Sequence, residues 1–315
     1  MHVTGWVLVI LVIIGCWNVL HVMLVYQRTP EPSMKISTKD LNLTMEKTKV
    51  NLSTPYWIGV RFSGRLGNQM FQTASCYGIA AARKTYCCLY DYEGSMLSEY
   101  VDMLSPVAKC PATSAVMQSE GKRYQDFVPL FLDQVEYNTV VGDYLQSWLY
   151  LPSTLPFMLK HREWAAEWVK TQGINTGIHV RRGDMGENFP ASYFSKAISH
   201  LNELEPTTSL SFVVVSDDTA WVRAQPVFTG MTVSEGHSPG QDIAILAACH
   251  HIIISVGTFG WWAAYLRSSP GRVIHYIARW EYERPESLNL TAHYPPGWIG
   301  FMYEPGDPCQ RCQRY

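Results

Sequence analysis

The apolar positions of this chain fall into three regimes. From Gly5 to Tyr26 they form a nearly unbroken run, interrupted by Asn18 and His21 alone. About 20 residues at helical rise cross the hydrocarbon of a bilayer, so the run predicts a transmembrane span rather than a secretory h-region of about 7 to 15 residues. From Gln27 to Pro55 apolar positions thin out among Pro30, Pro32, serines, threonines and alternating charges, the composition of a flexible stem. From Tyr56 onward aromatics and apolar runs return, and the pattern becomes that of a folded domain.

Within that domain Tyr56 to Phe62 predicts a strand, Gly64-Arg65-Leu66-Gly67 a turn, Asn68 to Lys84 an amphipathic helix and Thr85 to Tyr90 a second strand, the opening of a β-α-β unit. Glu93 to Leu151 is poorly patterned. A second alternating series starts near Trp164. It predicts strands over Thr176 to Val180, Leu210 to Val215, Ile252 to Ser255 and Arg272 to Ile277, with helices over Ser192 to Leu204, Gln241 to His250 and Thr258 to Leu266. Strands this continuously apolar are covered on both faces, so the series predicts a parallel sheet with helices on both sides. The expected organisation is a tail (1–4), a signal-anchor (5–26), a stem (27–55) and two α/β halves (56–163 and 164–315) facing a cleft.

Charge and cysteines sharpen this picture. The formal net charge of -2 gives no support for nucleic-acid binding. Arg28, Lys35 and Lys39 follow the anchor, and counting them alone would put the C-terminal side in the cytoplasm. Two features oppose that. Asn42, Asn51 and Asn289 each begin an N-glycosylation acceptor pattern, which matters only in the secretory lumen, and seven of eight cysteines lie beyond the anchor, a usage that fits an oxidising compartment. We expect a single-pass type II membrane protein with its large domain in the lumen. Seven lumenal cysteines cannot all pair within one chain, and Cys309 with Cys312 reads better as structural disulfide chemistry than as a redox or zinc motif.

The candidate chemistry sits at strand ends. Gly177 to Val180 runs directly into Arg181-Arg182-Gly183-Asp184. Two fixed guanidinium forks past a strand's carboxyl end suit a diphosphate, and open α/β sheets bind ligands at that edge. The next strand ends at Ser216-Asp217-Asp218, whose carboxylates could accept hydrogen bonds from a guanine edge or ribose hydroxyls, or simply cap the following helix. A third strand end places Ser255, Gly257, Thr258 and Gly260 at a helix start, where free N–H groups and the helix dipole favour an anion.

Four ordered motifs, Gly64-Arg65-Leu66-Gly67-Asn68-Gln69-Met70, His179 to Asp184, Ser216-Asp217-Asp218 and Gly257-Thr258-Phe259-Gly260, resemble those of the α-1,2-fucosyltransferases. The resemblance covers Trp57 to Ile277. It implies a GT-B fold, GDP-β-L-fucose as donor, a terminal β-galactoside as acceptor and an inverting transfer, in a Golgi type II membrane protein. It puts Arg181 on the β-phosphate, Arg182 on the nucleotide or the fold, His179 and one of Asp217 or Asp218 on guanosine, and Ser255 and Thr258 on phosphate. The Gly64 to Asn68 turn would close over the diphosphate with Arg65 and Asn68 as its polar contacts, and Asp184 would orient the arginines. The unpatterned middle is then the place for acceptor-binding loops.

Breaking the fucose C1 to phosphate bond increases charge on the departing diphosphate. Arg181 and the helix terminus at Thr258 can stabilise it in place of a metal, so no metal cofactor is expected; Asp91-Tyr92-Glu93 reads as a strand end and turn. Glu187 is the candidate general base, with Asp184 as its alternative. Trp261, Trp262 and the pair His250-His251 read as structural. Self-association into a homo-oligomer is left open. A noncatalytic GDP-sugar-binding or carbohydrate-binding membrane protein is the competing reading; a sulfotransferase lacks its lysine phosphate loop here, and a dinucleotide oxidoreductase its Gly-x-Gly-x-x-Gly turn.

Overall fold

A computed structural model describes residues 56–111, 116–118, 138–142, 144–183, 190–277 and 290–302. The expected anchor and stem, the acceptor patterns at Asn42, Asn51 and Asn289, Asp184, Glu187, Cys309 and Cys312 all lie outside the described residues. Among those described, no helix is long and apolar enough to cross a membrane.

The chain begins with β1 (Trp57–Val60), α1 (Leu66–Ala82), β2 (Tyr86–Leu89) and α2 (Met96–Tyr100), followed by short strands β3 (Val101–Met103), β4 (Ala108–Lys109), β5 (Val116–Gln118), β6 (Thr139–Val141) and β7 (Phe157–Leu159). It continues through α3 (Arg162–Thr171), β8 (Thr176–Val180), α4 (Ala191–Leu204), β9 (Phe212–Ser216), α5 (Thr219–Ala224), β10 (Thr232–Val233) and α6 (Pro239–Ala248). Strand β11 (His251–Ile254), α7 (Thr258–Tyr265), β12 (Val273–Ile277), α8 (Leu290–His293) and β13 (Ile299–Met302) complete the series.

Two wholly parallel sheets result. The first has the order β4-β2-β1-β6-β5 and the second β10-β9-β8-β11-β12-β13. Strands β3 and β7 form a separate antiparallel pair. Every residue of β1, β8, β11 and β12 is buried, which is why these strands read as unbroken apolar runs rather than alternating ones. In each sheet the strand order reverses next to the first strand of its series, between β1 and β6 and between β8 and β11. At such a reversal the flanking connections leave to opposite faces and open a crevice at the carboxyl ends of the strands. The predicted arginine turn and the predicted Gly64 turn each stand at one of these two crevices.

The described residues fall within one compact unit, Leu43–Tyr315, and its largest apolar cluster joins α1, the helix that follows the first strand, to the second sheet and its helices. Leu66, Met70 and Phe71 of α1 pack with Trp261 and Trp262 of α7 and with Ile243 to Ala247 of α6. The Phe71 ring lies 4.4 Å from that of Trp261 and 5.0 Å from that of Trp262. Both tryptophans are almost fully buried, which bears out the core reading over sugar stacking. Full burial of each such side chain contributes about 1.5 to 3 kcal/mol, so α1 and α7 act as one packed pair. Disulfides Cys76–Cys87 and Cys88–Cys110 tie α1 to β2 and β2 to the segment after β4, while Cys249 is a buried thiol whose pKa burial pushes up to about 12.

Candidate active site

At the carboxyl end of β8 the backbone stays zipped to β11. Ser255 N–H donates to the His179 carbonyl at 3.0 Å, and Arg181 N–H donates to Ser255 Oγ at 2.8 Å. The chain then turns at the two arginines, and Asp217 holds both. Its Oδ2 accepts from the Arg181 guanidinium and its Oδ1 accepts from Arg182 N–H at 2.7 Å. A Cβ at Gly183 would stand 2.5 Å from Asp217 Oδ2, so only glycine leaves the carboxylate this close to the turn. Charge-assisted bonds of this kind are about twice as strong as neutral ones, and together they fix the direction in which Arg181 leaves the sheet.

Arg182 is anchored differently. Its guanidinium lies 4.3 Å from the centre of the Trp221 ring, and its Nε is 3.6 Å from Asp218 Oδ2. Asp218 Oδ1 in turn accepts from Trp221 N–H at 3.0 Å and caps α5. Asp218 therefore does the helix-capping work that its spacing implied, while Asp217 serves the arginines.

His179 is buried, with its ring 5.5 Å from that of Phe259 and packed where a Cβ on Gly260 would lie 2.4 Å from its Nδ1. Burial, reinforced by the Arg181 charge and opposed by Asp217, pushes its pKa down to about 4. The imidazole is therefore neutral at physiological pH. The facing helix α7 has Gly257, whose φ of 100° is left-handed, at its N-cap, and no side chain caps it. Its first turn follows directly on the carboxyl end of β11, and uncapped first-turn N–H groups favour an anion.

The Gly64 turn enters from the first sheet. Ser63 N–H donates to Gln72 Oε1 at 3.1 Å, Gln72 Nε2 donates to Ser63 Oγ at 3.0 Å and Gln69 Nε2 donates to the Gly64 carbonyl at 3.3 Å. Helix α1 thus pins its own leading turn. Arg65 occupies the exposed N-cap position. Asn68 bridges the two crevices, because its Oδ1 accepts from Thr258 Oγ1 at 3.0 Å and from Gln146 Nε2 at 2.9 Å. The Thr258 hydroxyl proton is committed to Asn68, which leaves its backbone N–H for an anion. Gln146 carries no sequence signal, since it lies in the unpatterned middle and its partner is 78 residues away.

The structure thus brings together His179, Arg181, Arg182, Asp217, Asp218, Ser255, Thr258, Asn68 and, beside Asn68, Gly64 and Arg65. The arrangement combines one fixed guanidinium, an uncapped helix start and a carboxamide; the carboxylates Asp217 and Asp218 are committed to the arginines and the α5 cap. Such an arrangement at the carboxyl edge of a parallel sheet suits an anion. Among the described residues no group of three or more His, Cys, Asp or Glu side chains could hold a metal ion. Asp91, Tyr92 and Glu93 form a turn after β2 in which the Tyr92 carbonyl accepts from Ser95 Oγ at 2.6 Å. With Leu89, Val107 and Lys109 they line an open cavity of about 330 Å³.

The fold is a two-sheet parallel α/β protein with cationic and helix-start groups at its strand ends, and its family follows from comparison with known proteins. The model of glycosyl transferase family 11 matches residues 38–302, and the chain belongs to that family. Among curated relatives, galactoside 2-alpha-L-fucosyltransferase Sec1 of Mus musculus is 28% identical over 293 residues, covering 79% of this chain and 75% of the relative. Galactoside alpha-(1,2)-fucosyltransferase 2 of Sus scrofa is 28% identical over 306 residues, covering 84% and 86%. Among solved structures, fucosyltransferase NodZ from Bradyrhizobium aligns with a TM-score of 0.48 at 13% identity, over 70% of this chain and 95% of that one.

Proposed function

We propose that this enzyme transfers L-fucose from GDP-β-L-fucose to O2 of a terminal β-galactoside with inversion, on a GT-B fold. The observation that carries the reading is the crevice between β8 and β11, where Arg181 and the start of α7 stand at adjacent strand ends tied by the Arg181 N–H bond to Ser255, inside a chain of glycosyl transferase family 11. The relatives named as galactoside fucosyltransferases supply the sugar and the linkage. In this reading residues 164–315 hold the donor, and 56–163 face the acceptor with the cavity at Asp91 to Glu93.

The acceptor O2 attacks fucose C1 from the face opposite GDP as the C1–O bond to the β-phosphate breaks, and the bonding pair leaves with the diphosphate. Arg181, the first-turn N–H groups of α7 and the Asn68 amide meet that growing charge. Losing one such preorganised donor costs about 3 to 4 kcal/mol of barrier. Ser255 supports the phosphate side, neutral His179 the guanosine side together with Asp217 or Asp218 through the carboxylate lone pairs that their bonds to the arginines and the α5 cap leave over, Arg182 holds the turn on Trp221, and Arg65 closes over the diphosphate. The acceptor proton goes to Glu187, or to Asp184 in its place. In this reading Arg181 and the start of α7 serve the leaving group in place of a metal, and turnover needs no metal cofactor. The same reading makes residues 5–26 the anchor of a Golgi type II membrane protein, with residues 27–55 as its stem and glycans at Asn42, Asn51 and Asn289.

Full-length protein incubated with GDP-fucose and a panel of β-galactosides tests this, with the product linkage read by NMR. An α-1,2-fucosylated product supports the reading. GDP binding with no transfer to any acceptor would replace it with the noncatalytic nucleotide-sugar-binding role.

A further inference from the structure

Gln146 has no counterpart in the motifs at the strand ends, yet its environment is tightly constrained. It is 6% exposed. The residue before it, Leu145, is fully buried and sits at φ 51°, a left-handed conformation that a branched residue adopts only when its surroundings impose it. Here they do. The Leu145 carbonyl accepts from Ser75 Oγ of α1 at 3.2 Å and the Gln146 carbonyl lies 2.6 Å from His293 Nδ1. Ser147 Oγ donates to the Ala292 carbonyl at 2.6 Å, and Trp148 Nε1 donates to that of Thr291 at 3.0 Å. Successive residues are thus clamped between α1 and α8, and the one side chain that the clamp sends toward the crevice donates to Asn68 Oδ1.

A carboxamide has one acceptor end and one donor end, and its orientation is decided by its partners. Gln146 Nε2 and Thr258 Oγ1 both donate to Asn68 Oδ1. Among the described residues no group accepts from Asn68 Nδ2, which lies against the Gly64 turn, where a Cβ would stand 2.2 Å from it. We propose that Gln146 is a positioning residue that sets the Asn68 carboxamide with its Nδ2 donors toward the donor diphosphate, with Thr258 as the second support. An Asn68 turned the other way would present an oxygen to the phosphates and repel them. The proposal rests on the reading that the Asn68 turn meets the diphosphate.

The test is a double-mutant cycle on the full-length protein, with GDP affinity from calorimetry and kcat and KM for GDP-fucose as readouts. Gln146→Glu replaces the donor by an acceptor and should turn the carboxamide over. It is expected to weaken GDP binding about tenfold or more, in line with loss of a charge-assisted hydrogen bond, and to cause no further loss in an Asn68→Ala background. Because the introduced carboxyl group, once protonated, can again donate to Oδ1, the affinity deficit should shrink as pH falls, relative to wild type at each pH. Should Gln146→Glu fail to fold, Gln146→Ala is expected to weaken binding about threefold or more, again only when Asn68 is present. Equal losses in both backgrounds would mean a merely structural role, and no loss in either would also overturn the proposal. If Asn68→Ala alone leaves GDP affinity unchanged, the donor-site reading of that turn fails and takes this one with it.

Discussion

Gly67→Ala isolates a close approach between the two sheets. A Cβ at Gly67 would stand 2.6 Å from Thr258 Oγ1, 2.7 Å from the Thr258 carbonyl carbon and 2.8 Å from its Cβ. Two opposed effects act on stability. Alanine is favoured over glycine within a helix by about 1 kcal/mol, whereas overpacking a filled contact costs about 1 to 3 kcal/mol. The second wins here because one of the three contacts is backbone, which cannot rotate away, and both partners are held by the buried α1–α7 pair. Net destabilisation is therefore expected to be up to about 2 kcal/mol, a fall in Tm of up to about 4 °C for a chain of this size. The effect on turnover is larger, since pushing Thr258 away breaks its 3.0 Å bond to Asn68 and shifts the start of α7. A misplacement on the order of 1 Å at a catalytic group costs about a hundredfold, so kcat/KM should fall by that order while Tm moves little. Thermal melts and steady-state kinetics on the same preparation measure both. A variant with wild-type kcat/KM and an unchanged or raised Tm would refute the argument, because helix propensity would then be the only effect left.

Ser255→Ala removes the acceptor of the Arg181 N–H at a position 1% exposed. An unsatisfied donor costs about 1 to 3 kcal/mol, so both Tm and GDP affinity should drop, and wild-type values for both would contradict the anchoring role. Burial lowers the pKa values of His179 to about 4 and His275 to about 3. Both folded values lie below the unfolded one, so the unfolded state binds more protons, and the stability present above about pH 6.5 is lost as pH falls toward 4. For His179 alone this amounts to on the order of 3 kcal/mol. Melts from about pH 7 to 4.5 should show a declining Tm with a shallower slope for His179→Gln, and a flat profile would oppose it. Transfer should persist in EDTA; full loss restored by Mn²⁺ would overturn metal-free stabilisation of the leaving group.

Much of the β8–β11 crevice was legible because burial on both faces writes itself into sequence. Strand β8 spans Thr176 to Val180 as its apolar run implied, and α7 starts at Thr258 behind its glycine. Elsewhere the ends moved by a residue or more: α1 starts at Leu66 rather than Asn68, and α6 at Pro239, where a Ser238–Gln241 capping box fixes it. The stretch from Glu93 to Leu151 was opaque because its strands are only two or three residues long, too short to carry a period. Strand β13, which pairs with β12, was also missed. In the site, the cap by Asp218 is a local pattern and could be read. The hold of Asp217 on Arg181 spans 36 residues and the bond from Gln146 to Asn68 spans 78, and such pairings exist only once the fold has brought the segments together.

The central claim is that Arg181, at the end of β8, meets the β-phosphate of the donor. Calorimetric affinities of GDP and GMP for wild type and for Arg181→Ala test it most directly, because the two nucleotides differ only in that phosphate. The account predicts that wild type prefers GDP strongly and that Arg181→Ala loses most of this preference while GMP affinity changes little. A substitution that leaves the GDP preference intact, or weakens both nucleotides equally, would contradict it.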